Sequence, residues 1–193
     1  MKIYAFDFDG TLTTRDTLID FIRFVRGDKA TLLGLLRFSP LLLLMKMGIY
    51  PNGKCKRQLF TYFFKGMREG VFNDFCETYA RKRKSILRPA AMEKLREVQQ
   101  EGHTVVVVSA NMDSWVRLFL PGIEVIGTKV EVMNERLTGR FYTRNCYGKE
   151  KVRRFLERFP ERNTYELIVY GDSRGDHELL DIADEGYYKP FRK

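Results

Sequence analysis

The chain has 193 residues, of which 44% are hydrophobic and 31% charged, with 15 glycines and 6 prolines. That balance excludes collagen-like, low-complexity and wholly disordered proteins, and it gives room for one domain or one domain carrying an insertion. The formal net charge is +9, and all of it lies between Arg15 and Lys84, where 15 basic residues face 6 acidic ones. Such confinement predicts an anionic partner for that segment (a phosphate ester, a lipid surface or nucleic acid), although the run Arg81-Lys82-Arg83-Lys84 taken alone reads as a solvated face. The three cysteines, Cys55, Cys76 and Cys146, have neither metal-ligand spacing nor the even number of a disulfide framework. The opening MKIYAFDFDG lacks the form of a signal peptide, and no stretch of about 18 uninterrupted apolar residues marks a membrane span. A cytoplasmic setting is expected, with peripheral contact at the inner face of the membrane as an addition to it.

In chain order, Lys2 to Phe8 alternates and predicts a first strand ending at Asp7-Phe8-Asp9. Ala30 to Met47 is apolar at 12 of 18 positions, and Leu41 to Met45 is apolar all round, so this helix must be buried or lie against something greasy. Pro51-Asn52-Gly53 reads as a turn. Phe60, Phe63, Phe64 and Met67, then Phe72, Phe75, Cys76 and Tyr79, recur at helical spacing and predict two core-facing stripes. Pro89 opens a helix that Gly102 closes. Thr104 to Ser109 is a continuous apolar strand of the kind covered on both faces. Ile123 to Val132 is strand-like, Asn134 to Tyr142 returns as a hairpin, Val152 to Phe159 is an amphipathic helix, and Glu166 to Tyr170 is a further buried strand. Strands alternating with helices predict an α/β fold, a Rossmann-like doubly wound parallel sheet, with an all-helical cap inserted after the first strand. The expected division is 1–14 and 86–193 for the core, and 15–85 for the cap.

Ligands of open α/β sheets bind outside the carboxyl ends of the strands. Asp7 and Asp9, Ser109, Asp172 and Asp176 are all expected at that edge. A lone aspartate at a strand end is a common turn former or helix cap. Four are harder to explain so, because two carboxylates ~4 Å apart repel by roughly 4 kcal/mol at an effective dielectric of ~20. A cation or shared protons must offset that repulsion, and all-oxygen ligation suits Mg2+.

DFDGT (Asp7 to Thr11), the apolar strand ending in Ser109, the lysine of GKEKVRRFL and GDSRGD (Gly171 to Asp176) stand in the order of the four motifs of the haloacid dehalogenase-like superfamily. With the helical insertion and the phrases SAN, LTG, NCYGKEK and YGDS, nearly the whole chain resembles its subfamily IB, the phosphoserine phosphatase-like group. The resemblance implies an Mg2+-dependent phosphatase in which Asp7 is the nucleophile and Asp9 protonates the leaving oxygen, then deprotonates water. The crowd of acidic neighbours is expected to raise the pKa of Asp9. Asp7, the backbone carbonyl of Asp9, and Asp172 would hold Mg2+ with Asp176 in support, while Gly10, Thr11, Ser109, Ala110 and a lysine would take phosphate oxygens. That lysine is Lys149 or Lys151; the spacing of Lys151 to Phe155 matches the family pattern.

The substrate is less legible. Asp16 stands where the family places an acidic residue for a substrate amine, but it reads equally as the N-cap of the helix opening at Thr17. Arg57 is a candidate for a substrate carboxylate. A small phosphomonoester is the expected substrate class. Against it, the apolar stretch Ala30 to Met47 resembles the greasy cap insertion of phosphatidylglycerophosphate phosphatases, which would mean a lipid headgroup and an anionic membrane. The other reading of that stretch is ordinary cap core, its leucines packed on the Phe60 and Phe72 stripes. Nothing in the chain resembles a dedicated nucleic-acid motif, so no nucleic-acid partner is expected, although a non-catalytic basic binding module is the alternative to an enzyme.

Overall fold

The computed structural model describes residues 1–192. The chain begins with β1 (Lys2–Phe6), then runs through α1 (Thr17–Lys46), α2 (Asn52–Phe64), α3 (Glu69–Lys82) and α4 (Pro89–Gln100) before β2 (Thr104–Met112). After α5 (Asp113–Phe119) come β3 (Glu124–Thr128), β4 (Val130–Met133) and β5 (Arg136–Phe141). The last third holds α6 (Lys149–Arg158), β6 (Glu166–Gly171), α7 (His177–Asp181) and β7 (Glu185–Tyr188).

Five strands form one parallel sheet in the order β3-β2-β1-β6-β7. From central β1 the chain first builds outward through β2 and β3, then returns to place β6 on the other side of β1. The carboxyl ends of β1 and β6 therefore flank the point where strand order reverses, the place at which such sheets open a crevice. Alternation along each strand sends side chains to two separate cores. Ile3, Ala5, Val106, Val108, Leu167 and Val169 pack with Phe155 of α6 and Leu179 of α7. Tyr4, Phe6, Val107, Ile168 and Tyr170 point the other way, toward α4, α5 and the inserted helices. Burial on both faces is why β2 reads as an uninterrupted apolar run.

The helices inserted between β1 and β2 do not float above this second core but complete it. Phe21 of α1 stacks on Trp115 of α5 with ring centroids 4.6 Å apart, and Tyr79 of α3 meets Phe119 edge-on at 5.5 Å. The Phe60 and Phe72 stripes close the same cluster. Each such side chain contributes on the order of 1.5–3 kcal/mol by leaving water.

Three local readings of the sequence are corrected. Ile123 to Val132 is two strands: β3 ends at Thr128, and β4 leaves the main sheet to pair antiparallel with β5. That hairpin seats against α2, where Thr61 Oγ1 donates to the Gly139 carbonyl at 2.6 Å. Gly139 has φ +84°, and a Cβ there would lie 2.9 Å from the Thr61 methyl, so the phrase LTG records a close approach of hairpin to helix. Pro51-Asn52-Gly53 is the start of α2 with Pro51 as its N-cap, and the turn lies before it, around Gly48 (φ 77°). Finally, the helix expected from Ala30 begins at Thr17 and breaks at Gly27 (φ 80°, ψ 169°), so that residues 28–46 form a distal half. One flank of this half, with Thr31, Gly34, Leu35 and Phe38, packs onto the core; the opposite flank faces solvent.

Candidate active site

β1 delivers Asp7 to the sheet edge, and the Asp7 amide donates to the Tyr170 carbonyl at 2.8 Å, tying the end of β1 to that of β6. The chain then turns tightly over Phe8–Leu12. Gly10 sits in that turn at φ +78°, where a Cβ would stand 2.2 Å from an Asp172 carboxylate oxygen. Only glycine lets the first and last acidic motifs come this close. One carboxylate oxygen from each of Asp7, Asp172 and Asp176 lies within 4.8 Å of the others, and all three residues are buried.

Lys151 enters this group from the far face of the sheet. Gly148 opens α6, and the i, i+4 pair Lys151 and Phe155 forms its buried side. Only 1% of Lys151 is exposed, and its ammonium donates to Asp7 Oδ1 at 2.5 Å, to Asp176 Oδ1 at 2.6 Å and to the Val108 carbonyl at 2.6 Å. Lys149, two residues earlier on the same helix, is exposed. Burial by itself would strip the Lys151 proton, but Asp7 and Asp176 outweigh it and hold the ammonium above its ordinary range. Burial pushes Asp7 up to about 7 against the pull of Lys151. Asp176 goes the other way: Lys151 and the Ser173 hydrogen bonds overcome its burial and keep it below the usual carboxylate value.

Asp9 lies apart from the trio, and its side chain has different partners. Thr17, the first residue of α1, donates to Asp9 Oδ1 from its hydroxyl at 2.7 Å and its amide at 3.2 Å, and Asn111 donates to Oδ2. Asn111 also donates to the Thr17 hydroxyl at 2.8 Å, as does the Trp115 indole at 3.2 Å. Asp9 is raised well above the ordinary carboxylate range. The main cause is burial, not the crowding by the other carboxylates that the sequence suggests; Asp16 comes second, while Lys56 and Thr17 pull the other way.

These groups line a cavity of about 800 Å3 between the sheet edge and the inserted helices. Gly10, Ser109, Ala110, Lys151 and Asp172 line it with Asp7 and Asp9. The Ser109 hydroxyl accepts from the Asn111 amide at 3.1 Å. Asp176 lies behind the cavity wall as the partner of Lys151, and Thr11 is buried beneath the turn with its hydroxyl unpartnered. Asp16 does both things the sequence allows, capping α1 through Leu18 and Ile19 amides at 3.0 and 3.1 Å while facing the cavity. Arg57 does not reach the site; it is exposed on α2, and the neighbouring Lys56 turns inward instead, donating to the Ala110 carbonyl at 3.0 Å.

Sequence reasoning missed Asn111, Thr17, Lys56, Arg15, Arg88 and Arg192 as parts of this region. Arg192 pairs with Asp172, and Phe191 before it stacks on Tyr170 at 5.5 Å. For Asn111 a signal existed in the phrase SAN; Arg15 and Thr17 flank Asp16 and Lys56 adjoins Arg57, whereas Arg88 and Arg192 come from distant segments.

The residues suit Mg2+. Their donors are hard carboxylate oxygens, and Asp172 Oδ1 is a buried atom without a hydrogen-bond partner in the described residues. A family model for haloacid dehalogenase-like hydrolases matches residues 4–181. The chain belongs to the haloacid dehalogenase-like hydrolase family. Protein CicA of Caulobacter vibrioides is 35% identical over 198 residues, covering 98% of this chain and 86% of CicA. This hydrolase also resembles, with a TM-score of 0.82 at 20% identity, a crystal structure of a protein of unknown function from Bordetella pertussis Tohama I, covering 96% of this chain and 88% of that one. A phospho-aspartyl intermediate analogue of phosphoserine phosphatase gives a TM-score of 0.68 at 18% identity, covering 96% and 84%. At such identities the likeness is one of fold, and it extends over the helical cap as well as the sheet.

Proposed function

We propose that this hydrolase is an Mg2+-dependent phosphomonoesterase that works through an aspartyl-phosphate intermediate. The observation that carries the reading is the convergence of Asp7, Lys151, Asp172 and Asp176 at the strand-order reversal, with a second, separately held carboxyl, Asp9, on the same cavity. Lys151 fixes one oxygen of Asp7 and leaves the other, Oδ2, to attack phosphorus. As the Asp7–phosphorus bond forms, the ester P–O bond breaks and its electron pair leaves on the alcohol oxygen. Asp9, whose carboxyl burial holds well above its ordinary range, donates its proton to that oxygen. The resulting Asp9 carboxylate then takes a proton from water, which attacks phosphorus and releases Asp7 and inorganic phosphate. Thr17 and Asn111 hold Asp9 in place for both transfers.

Asp7, Asp172 and the Asp9 carbonyl would hold Mg2+, with Asp176 anchoring Lys151 beside them. Bound there, the metal supplies positive charge that offsets the charge of the transferring phosphoryl group. The Lys151 ammonium adds to it, as do the Ser109 hydroxyl and the amides near Gly10, Thr11 and Ala110. Residues 15–85 act as the cap over this chemistry, and recognition of the alcohol part falls to Asp16 and to Lys56, which takes the place expected for Arg57. A small phosphomonoester fits that pair.

The test is hydrolysis of an aryl phosphate. Turnover should require Mg2+, stop with EDTA, and fall at least about a thousandfold in Asp7→Asn, which removes the nucleophile. Incubation with substrate should leave a hydroxylamine-labile phosphoryl label on the wild type and none on the variant. Undiminished turnover in Asp7→Asn would exclude the mechanism.

A further inference from the structure

The distal half of α1 presents an apolar stripe to solvent. Leu32, Leu36, Leu43 and Met47 are 60–63% exposed. At 3.6 residues per turn they fall within about 60° of one another on the helix, along roughly 22 Å of its length. Leu33 and Leu44 widen the stripe on one side, and Ile49 continues it beyond the helix end. Side chains so far out of the surface form a ridge rather than the groove that an amphipathic peptide needs. Isolated exposed leucines need no explanation, but a continuous row of them does.

The charge around the stripe says what covers it. From Lys29 to Arg68 the chain holds 8 lysines and arginines and not one aspartate or glutamate. Lys29, Arg37 and Lys46 are exposed on the same helix as the leucines, and Lys54 and Arg57 are exposed on α2, which follows it. A second copy of the chain is disfavoured as the occupant, because a symmetric contact through this face would set one uncompensated basic surface against another. Leucines on one face with Lys and Arg along their margins is the pattern of a helix lying in the interface of an anionic bilayer.

We propose that residues 28–49 dock this hydrolase onto an anionic membrane surface, leucines in the acyl boundary and basic side chains among the headgroups. Leu42 and Met45, on the inner flank of the same turns, line the catalytic cavity. The docked helix is thus also a wall of the cavity, but docking stands independently of the reaction.

Co-sedimentation separates the two. The protein should pellet with vesicles of mixed phosphatidylglycerol and phosphatidylcholine, weaken as salt rises, and stay in the supernatant with phosphatidylcholine alone. Asp7→Asn should pellet like the wild type, since docking does not use the nucleophile. Leu36→Asp/Leu43→Asp should weaken binding at least tenfold while keeping hydrolysis of a soluble aryl phosphate, which shows that it folds. Arg37→Glu/Lys46→Glu, a second variant away from the core, should weaken it by roughly 5-fold or more for each charge removed. No pelleting with anionic vesicles overturns the proposal. So does a wild-type dimer that Leu36→Asp/Leu43→Asp dissociates without any change in vesicle binding.

Discussion

At the carboxyl edge of the sheet, Asp7, Asp172, Asp176 and Lys151 are buried, while along residues 28–49 leucines stand in solvent. Each region inverts the ordinary distribution of polar and apolar side chains, in opposite senses. At the sheet edge the inversion is self-consistent, because each buried charge has a partner and Lys151 serves two carboxylates. Along α1 nothing within the described chain compensates the exposed leucines. The contrast teaches where each region finds its free energy. The first is closed by internal pairing, and the second, on the docking proposal, by a surface outside the molecule.

The largest effect expected from breaking this contrast is at Lys151. Lys151→Met removes the ammonium that Asp7 and Asp176 share and leaves both buried without their cation, at a cost of about 3–5 kcal/mol. For a chain of this size that is a loss of Tm of roughly 10 °C in metal-free buffer, measurable by calorimetry. Added Mg2+ should recover part of it, because the metal replaces positive charge at the same carboxylates, while phosphatase turnover stays lost. An unchanged Tm would mean that the lysine does not bind the buried aspartates in solution.

Next comes Asp9→Asn. On an alkyl phosphate kcat should fall by about 10²–10⁴, as for loss of a general acid, and by less on an aryl ester whose leaving group needs no proton. Equal losses on both would make Asp9 a positioning group only. Stability moves the other way. A carboxyl raised on folding binds more protons in the folded state, so its stabilising effect is complete below ~4, the unfolded value, and disappears as pH climbs through the folded one. Burial raises Asp9 well above that range, and Asp7 to about 7. The metal-free wild type should therefore lose stability as pH rises from about 4 to about 7 through Asp7, and Asp9→Asn, which lacks the second raised carboxyl, should gain on it as pH climbs above about 4. A Tm difference between the two that does not depend on pH would show that Asp9 ionises normally in the folded chain.

Most of the first region was legible from sequence and much of the second was not, for physical reasons. Strand ends are marked by apolar runs, so the expectation that Asp7, Ser109 and Asp172 share one edge needs only the strands and their parallel order. Asn111 and Thr17 required more, since they meet Asp9 only once α1 has packed beside β2. Lys56 and Arg57 show the limit clearly. Adjacent residues on a helix differ by about 100° in direction, so which of them faces the cavity is set by how α2 seats on the β4–β5 hairpin, and not by composition. Hydropathy likewise marks Ala30 to Met47 as apolar but cannot tell a helix covered on all sides from one covered on a single flank. The buried Thr31 and Gly34 on the covered flank, small residues among leucines, are the only hint the sequence holds.

The smallest effect tests the exposed region by its lack of consequence. Leu36 is 60% exposed, so Leu36→Gln removes little buried area and should shift stability by no more than about 0.5 kcal/mol. Phe21, fully buried against Trp115 in the same helix, provides the contrast: Phe21→Ala should cost about 3–5 kcal/mol. Chemical denaturation of the two variants measures the difference directly, at low protein concentration and without lipid. If Leu36→Gln costs as much as Phe21→Ala, the stripe is covered in the free protein and is part of its core. If the cost appears only at high protein concentration, the leucines are buried between copies of the chain. A near-zero cost at every concentration leaves the stripe as apolar surface held ready for a partner, since the folded chain gains nothing from having leucine rather than glutamine there.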